Sequence, residues 1–209
     1  MSIGKIIIYA VIISFNVLFP TQSNAQSLHL DTYSTEQGLT QNSITCAIND
    51  KRGFHWFSTQ GGLNRFDGYD IKRFKSYPMD PLSLSGNWIT ACGHTKNGTL
   101  WVTTATQGLS LLDTQTGQFS HINQSTELAI KDNRIWSATV DTKNTLWMGH
   151  EDGNLTQLNI EHKTANFFNY THPDAGNVIF RDIITGHGSN IWIASNVGLI
   201  KFDKKTTQF

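Results

Sequence analysis

The chain opens on an apolar run from Ile6 to Phe19 that follows Lys5 and is interrupted only by Tyr9, Ser14 and Asn16. Such a run is shorter than the roughly 20 residues a membrane-spanning helix needs. Pro20 then breaks the helical pattern, and Ser23-Asn24-Ala25 sets small residues three before and one before a cut. The pattern predicts a secretory signal peptide over residues 1–25, leaving an exported segment of 184 residues that starts at Gln26. No Cys follows the cut, which disfavours a lipid anchor. Nothing after Phe19 is apolar for long enough to span a bilayer.

Beyond the leader the hydrophobic period is two rather than 3.6. Stretches such as Leu100-Trp101-Val102-Thr103 and Asn190-Ile191-Trp192-Ile193-Ala194 are short, β-rich and bounded by turn residues, so they predict strands. Lys96-Asn97-Gly98-Thr99 predicts a tight hairpin, because Asn-Gly accepts the positive φ angles of such turns.

These strands recur. Trp56, Trp101, Trp147 and Trp192 are separated by 45, 46 and 45 residues. Ile44, Ile89 and Ile135 stand twelve residues before the first three, whereas the fourth unit offers Ile183 nine before its Trp. Gly62-Leu63, Gly108-Leu109, Gly153 with Leu155, and Gly198-Leu199 follow each Trp. Three residues beyond each Leu comes an apolar residue followed by Asp or Asn, and Phe74, Phe119, Phe167 and Phe209 close the units. A period of 40 to 50 residues with four short strands per unit predicts blades of an all-β propeller. The expected blades span about 40–75, 86–120, 132–168 and 180–209, with 26–39 as an N-terminal strand. One blade cannot bury both its faces, so neighbours must stack, and the repeated Trp is expected to fill the seams.

The first unit also carries a specific resemblance. Gly38-Leu39, Asn42, Asp50, Gly53, Trp56, Thr59, Gly62-Leu63, Arg65-Phe66-Asp67 and Gly68 match the opening blade of two-component regulator propellers. Later units keep the skeleton with drift: Asn144 and Ser189 replace the turn glycine, and Arg181 stands where Asn42, Asn87 and Asn133 predict Asn. The resemblance runs from about Leu28 to Phe209. It implies a periplasmic ligand-sensing segment of a transmembrane receptor whose output domain is a kinase or a diguanylate cyclase, with saccharide fragments as common ligands. Members typically carry seven blades, and four are present here. A fragment of a longer receptor is the expectation, with a complete four-bladed ring as the alternative.

Composition narrows the chemistry. Lys+Arg and Asp+Glu both number 16, so no basic footprint marks the chain for nucleic acid. Cys46 and Cys92 lie ten and nine residues before their Trp, which places them on opposite strand faces. Two separate buried thiols are therefore expected. His29, His55, His94, His121, His150, His162, His172 and His187 lack a helical i, i+4 pair, and His150-Glu151-Asp152-Gly153 lacks the second His of a metalloprotease. His94 and His187 lie near turns that share one end, but exposed loop histidines are favoured over a metal site. Asp67, Asp113 and Asp203 recur in turns and predict backbone capping rather than catalysis. Asn97, Asn123, Asn154 and Asn169 head formal glycosylation triplets that matter only in a eukaryotic secretory route.

No catalytic residue, metal or cofactor is assigned. Arg65, Tyr69, Trp88, Arg134, Trp136 and Arg181 are the loop residues placed to read a ligand, with burial an equal alternative for Trp88 and Trp136. A standalone carbohydrate-binding propeller and an exported propeller enzyme, lyase or glycosidase, are the rival functions.

Overall fold

A computed structural model describes residues 30–186 and 188–209, of which 33–209 form one unit. The signal peptide expected at 1–25, and His187, lie outside the described residues. Among those described, no helix is long and apolar enough to cross a membrane.

Fifteen strands are described, and each successive group of three or four folds back on itself. The first blade is β1 (Ile44–Asn49), β2 (His55–Thr59), β3 (Gly62–Phe66) and β4 (Ile71–Phe74). The second is β5 (Ile89–His94), β6 (Leu100–Thr104), β7 (Leu109–Leu112) and β8 (Phe119–Ile122). The third is β9 (Ile135–Val140), β10 (Leu146–His150), β11 (Asn154–Asn159) and β12 (Thr164–Asn169). The fourth is β13 (Phe180–Thr185), β14 (Asn190–Ser195) and β15 (Gly198–Asp203). All pairings are antiparallel and the strand order in each sheet is sequential. This is the repeated meander of a β-propeller. The last sheet has three strands, and a bridge between Asp203 and Gln208 starts its fourth edge.

The strand expected before the first blade is absent from residues 30–39, where Thr35–Gln37 form one 3-10 turn. Ser34 and Gln37 cap each other there, Gly38 closes the turn at φ 110°, and the Asn42 carboxamide accepts the Thr35 N–H at 2.8 Å. Local side-chain bonds of this kind compete with a strand ladder. The Asn is itself a repeat device, since Asn87 and Asn133 accept from Ser76 and Gln124 N–H.

The fourth unit needs a different alignment from the one its isoleucine suggests. Phe180, not Ile183, pairs with Ser195 as Ile44, Ile89 and Ile135 pair with Thr59, Thr104 and His150. Phe180 also lies twelve residues before its Trp. A bulge follows each of these residues, so Arg181 matches Thr45, Thr90 and Trp136, and the Asn slot falls to Val178. Similarly Phe168 rather than Phe167 takes the place of Phe74: it pairs with Leu155 and stacks on Trp147, while Phe167 stays 40% exposed.

The repeated Trp fills the seams. Trp56 packs on Ile89, Leu100 and Val102 of the second blade. Trp101 packs on Ile135, Leu146 and Met148 of the third, and Trp147 on Ile183, Ile191 and Ile193 of the fourth. A hydroxyl closes each seam: Thr45 donates to the Ile89 carbonyl, Thr90 to Ile135 and Ser137 to Phe180. Asp67, Asp113 and Asp203 cap the turns after β3, β7 and β15 by accepting backbone N–H groups two residues on.

Cys46 and Cys92 are not separate thiols; they form a disulfide with Cα atoms 5.9 Å apart. The one-residue offset does set them on opposite faces of their own sheets. In a stack, however, opposite faces of neighbouring sheets are the two that meet. Cys46 faces forward from β1 and Cys92 faces back from β5, so the offset brings the sulfurs together.

The Gly-Leu glycines hold the strand-turning geometry. Gly62, Gly108, Gly153 and Gly198 all have positive φ, between 73° and 133°. A Cβ at Gly62, Gly108 or Gly153 would sit 2.3–2.6 Å from the carbonyl of Phe74, Ile122 or Tyr170, whereas at Gly198 it meets nothing. Gly108→Ala is therefore expected to lower stability by about 3 kcal/mol or more, against about 1–2 kcal/mol for Gly198→Ala, where only backbone strain acts. Urea midpoints of the two variants check the ordering; equal losses would show that the carbonyl clash is relieved by movement.

Candidate functional site

Antiparallel meanders put successive turns at alternate ends. The inter-blade loops therefore share one end of the propeller with the β2–β3, β6–β7 and β10–β11 turns. At this end Trp88 precedes β5 and Trp136 occupies the bulge of β9. Their rings meet edge to face with centroids 5.9 Å apart at 90°, a geometry favoured by the ring quadrupoles. Trp88 remains 46% exposed, and the Trp136 indole N–H is buried without a partner.

Arg134 stands next to Trp136 in the chain and is held between two carboxylates. Its Nη2 and Nε bond Asp132 at 2.8 and 3.1 Å, and its Nη1 reaches Glu151 at 3.2 Å. Burial alone would raise the Asp132 carboxyl, but the Arg134 hydrogen bonds and charge outweigh it and hold Asp132 below the ordinary carboxylate value. The guanidinium is thus neutralised and oriented, and offers a fixed polar edge rather than a free cation.

His150 ends β10 beneath this network. Its Nε2 lies 2.8 Å from the Thr156 hydroxyl, and its Nδ1 is buried without a hydrogen-bond partner. Burial pushes the imidazole below its ordinary value, against the opposing charges of Asp132 and Asp152. Being fully buried, it cannot reach a ligand. Its folded pKa lies below its unfolded one, so the unfolded chain binds more protons and stability falls as pH drops through about 6.5. His94 is lowered by burial in the same direction. His150→Gln is expected to flatten the loss of unfolding free energy between pH 7 and 5, and an unchanged slope would remove His150 as its source.

The other residues singled out in the sequence are dispersed. Arg181 is exposed on β13 at the repeat position of Trp136. Arg65 and Tyr69 belong to the opposite end: the Arg65 guanidinium lies 4.3 Å from the Phe54 ring centroid, and Tyr69 is 92% exposed in the turn after β3. His94 lines a cleft of about 400 Å³ at that end between the first two blades, with Asn49, Asp50 and Arg52. Asp132 is not singled out in the sequence, and His150 and Glu151 stand out there only as an incomplete metalloprotease motif. The signal for His150 was a departure from the repeat, because Thr59, Thr104 and Ser195 at the same position donate to the Gly62, Gly108 and Gly198 carbonyls.

The loop end thus carries an edge-to-face aromatic pair and an immobilised charge network on a stack of sheets. The class of protein this defines is a β-propeller. No family model matches the chain. Over 78 residues, 37% of this chain, it is 28% identical to the histidine kinase P4 of Formosa agariphila, of which that segment is 6%. It is 27% identical to the extracellular domain of a hybrid two-component system of Bacteroides thetaiotaomicron, covering 86% of this chain and 31% of that one, with a TM-score of 0.60. An extracellular domain of a one-component system from the same genus and species is 24% identical, with 88% of this chain and 27% of the other covered and a TM-score of 0.69. That last likeness shows the fold alone. The chain spans less than a third of either extracellular domain. The resemblance to two-component regulator propellers, first visible in the residues around Trp56, is borne out by these relatives.

Proposed function

We propose that this chain is the ligand-sensing propeller segment of an exported, membrane-anchored signalling receptor, and that it performs no catalysis itself. The observation that carries the reading is the 27% identity across 86% of the chain to an extracellular two-component domain. The signal peptide read in the sequence fits the same compartment, as does the disulfide between Cys46 and Cys92. At the loop end, Trp88 offers a stacking face and the Arg134–Glu151 pair a polar edge, a combination suited to a sugar ring. Binding signals only if the ligand distinguishes two receptor states. In this reading the downstream part of the receptor supplies the membrane helix and a kinase or diguanylate cyclase output.

The test begins with the coding DNA beyond the Phe209 codon. A continuing frame that reaches a membrane helix and an output domain supports the reading; a stop without them overturns it. In the intact receptor, Trp88→Ala with Trp136→Ala is expected to raise the saccharide concentration for half-maximal response about tenfold or more, equivalent to about 1.4 kcal/mol. An unaltered dose response would move the recognition surface elsewhere.

A further inference from the structure

The outermost strand of a blade turns one row of backbone N–H and C=O groups away from its own sheet, and an unblocked row is a template for another strand. The first three blades treat this row differently. On β4 the exposed Lys72 and Arg73 hold two of the four positions, and edge charges repel an approaching strand. β8 is covered by the chain that precedes its blade: the Phe119 N–H donates to the Leu82 carbonyl at 2.8 Å, and the His121 ring lies 3.2 Å from the Pro81 carbonyl. β12 has neither protection. It runs Thr164-Ala165-Asn166-Phe167-Phe168-Asn169, without charge or proline, and pairs with β11 without a bulge. The Tyr170 N–H donates to the Gly153 carbonyl, one step beyond the Asn154–Asn169 pair. Inward groups alternate along an antiparallel strand, so Phe168, Asn166 and Thr164 also face β11, while Ala165, Phe167 and Asn169 turn their N–H and C=O outward. Among the described residues these outward backbone groups have no hydrogen-bond partner.

We propose that the outer edge of β12 is a self-association surface, where a second copy of this chain adds its own β12 antiparallel about a two-fold axis at Phe167. In that register Phe167 faces Phe167, and Ala165 faces Asn169 on either side. Each facing pair exchanges two N–H···O bonds, so every outward group of both edges is used, six bonds in all. Centring on Asn166 instead would make four. The strand is suited to meeting itself because it carries no charge: Lys163, the next residue out, would face Thr171. A β4 edge meeting its own copy would bring Lys72 and Arg73 against like charges, which is destabilising. The side chains add to the fit. Phe168 is spent inside the blade, stacked on Trp147 and against Phe202, whereas Phe167 is 40% exposed and would be covered by its symmetry mate. This inference rests on the hydrogen-bond ladder of the third blade and is independent of the receptor reading.

Sedimentation velocity of the full chain, loaded from micromolar to millimolar concentration, tests the association. One strand pairing buries less than the roughly 1,200 Å² of a standard interface, so a weak, concentration-dependent dimer is expected. Phe167→Lys sets two like charges across the axis and should raise the dimer dissociation constant about tenfold or more. Tyr69→Lys, an equally solvent-directed change in the turn after β3, should leave it unchanged. A second variant reads the register without adding charge. Because the native cysteines are joined to each other, Phe167→Cys supplies one free thiol, which a short bis-maleimide should capture as a covalent dimer far more efficiently than it captures Tyr69→Cys. Far-ultraviolet circular dichroism confirms that each variant keeps the parent's strand content. A parent that stays monomeric throughout, a dimer that Phe167→Lys leaves intact, or equal cross-linking of the two cysteine variants would overturn the proposal. So would a monomeric parent that binds an extended peptide along β12, which would assign the edge to a different partner.

Discussion

Removing the Cys46–Cys92 bridge is expected to lower the unfolding free energy by about 4 kcal/mol. The bond closes a segment of 46 residues, and cross-linking a loop of that length restricts the unfolded chain by about this amount. Against a total of roughly 5–15 kcal/mol for a typical domain, that is a large share. The effect should concentrate in the first blade, whose forward face is the one the bridge fastens. Cys46→Ala with Cys92→Ala, compared with the oxidised parent by urea unfolding at matched pH, reads it as a lower midpoint with little change in slope. The reduced parent should coincide with the double variant, which separates the covalent link from the lost sulfur packing. A midpoint unmoved by reduction would mean that the Trp56 seam alone fixes the two blades.

Much of this architecture is legible along the chain, and the reasons for the remainder are physical. The Trp spacing reveals the blade count because each seam needs one large apolar residue at a fixed register. The capping roles of Asp67, Asp113 and Asp203 are legible because a turn aspartate bonds its own backbone, a local matter. The disulfide is not legible because face assignment within one strand says nothing about which sheets later meet. The register of the fourth unit is hidden because Ile183 looks like the isoleucine of the other units, while the bulge that fixes the register is a three-dimensional feature that Phe180 satisfies equally well. The loop-end cluster is only half visible in the sequence. Trp88, Trp136 and Arg134 stand out as unusual loop residues, yet Asp132, Glu151 and His150 join them through contacts between separate turns that no spacing rule announces.

Asp141 should prove the most sensitive single side chain in the turns. Its Oδ1 accepts the Lys143 and Thr145 N–H groups at 2.9 and 3.1 Å, and its Oδ2 accepts the Trp147 indole N–H at 3.2 Å and Lys204 Nζ at 3.1 Å. One carboxylate thereby fixes the hairpin, the seam Trp and a neighbouring blade. Burial would raise its pKa, but the Thr145 N–H, the Trp147 indole, the Lys143 N–H and Lys204 together hold it below the ordinary value. Asp50 is lowered in the same way and bonds the Trp56 indole at 3.0 Å. The second blade has Thr95 at this position, and there the Trp101 indole N–H is buried without a partner. Asp141→Ala makes a second such orphan and strands Lys204, so a loss of about 3 kcal/mol is expected. Asp141→Asn should recover part of it, since a carboxamide oxygen can accept but carries no charge. Because the folded-state carboxyl is the stronger acid, its contribution is present above about pH 4 and is lost as pH falls through the folded pKa. Between pH 6 and 3 the parent should therefore lose more unfolding free energy than Asp141→Ala does. Parallel pH profiles would sink this account of the seam.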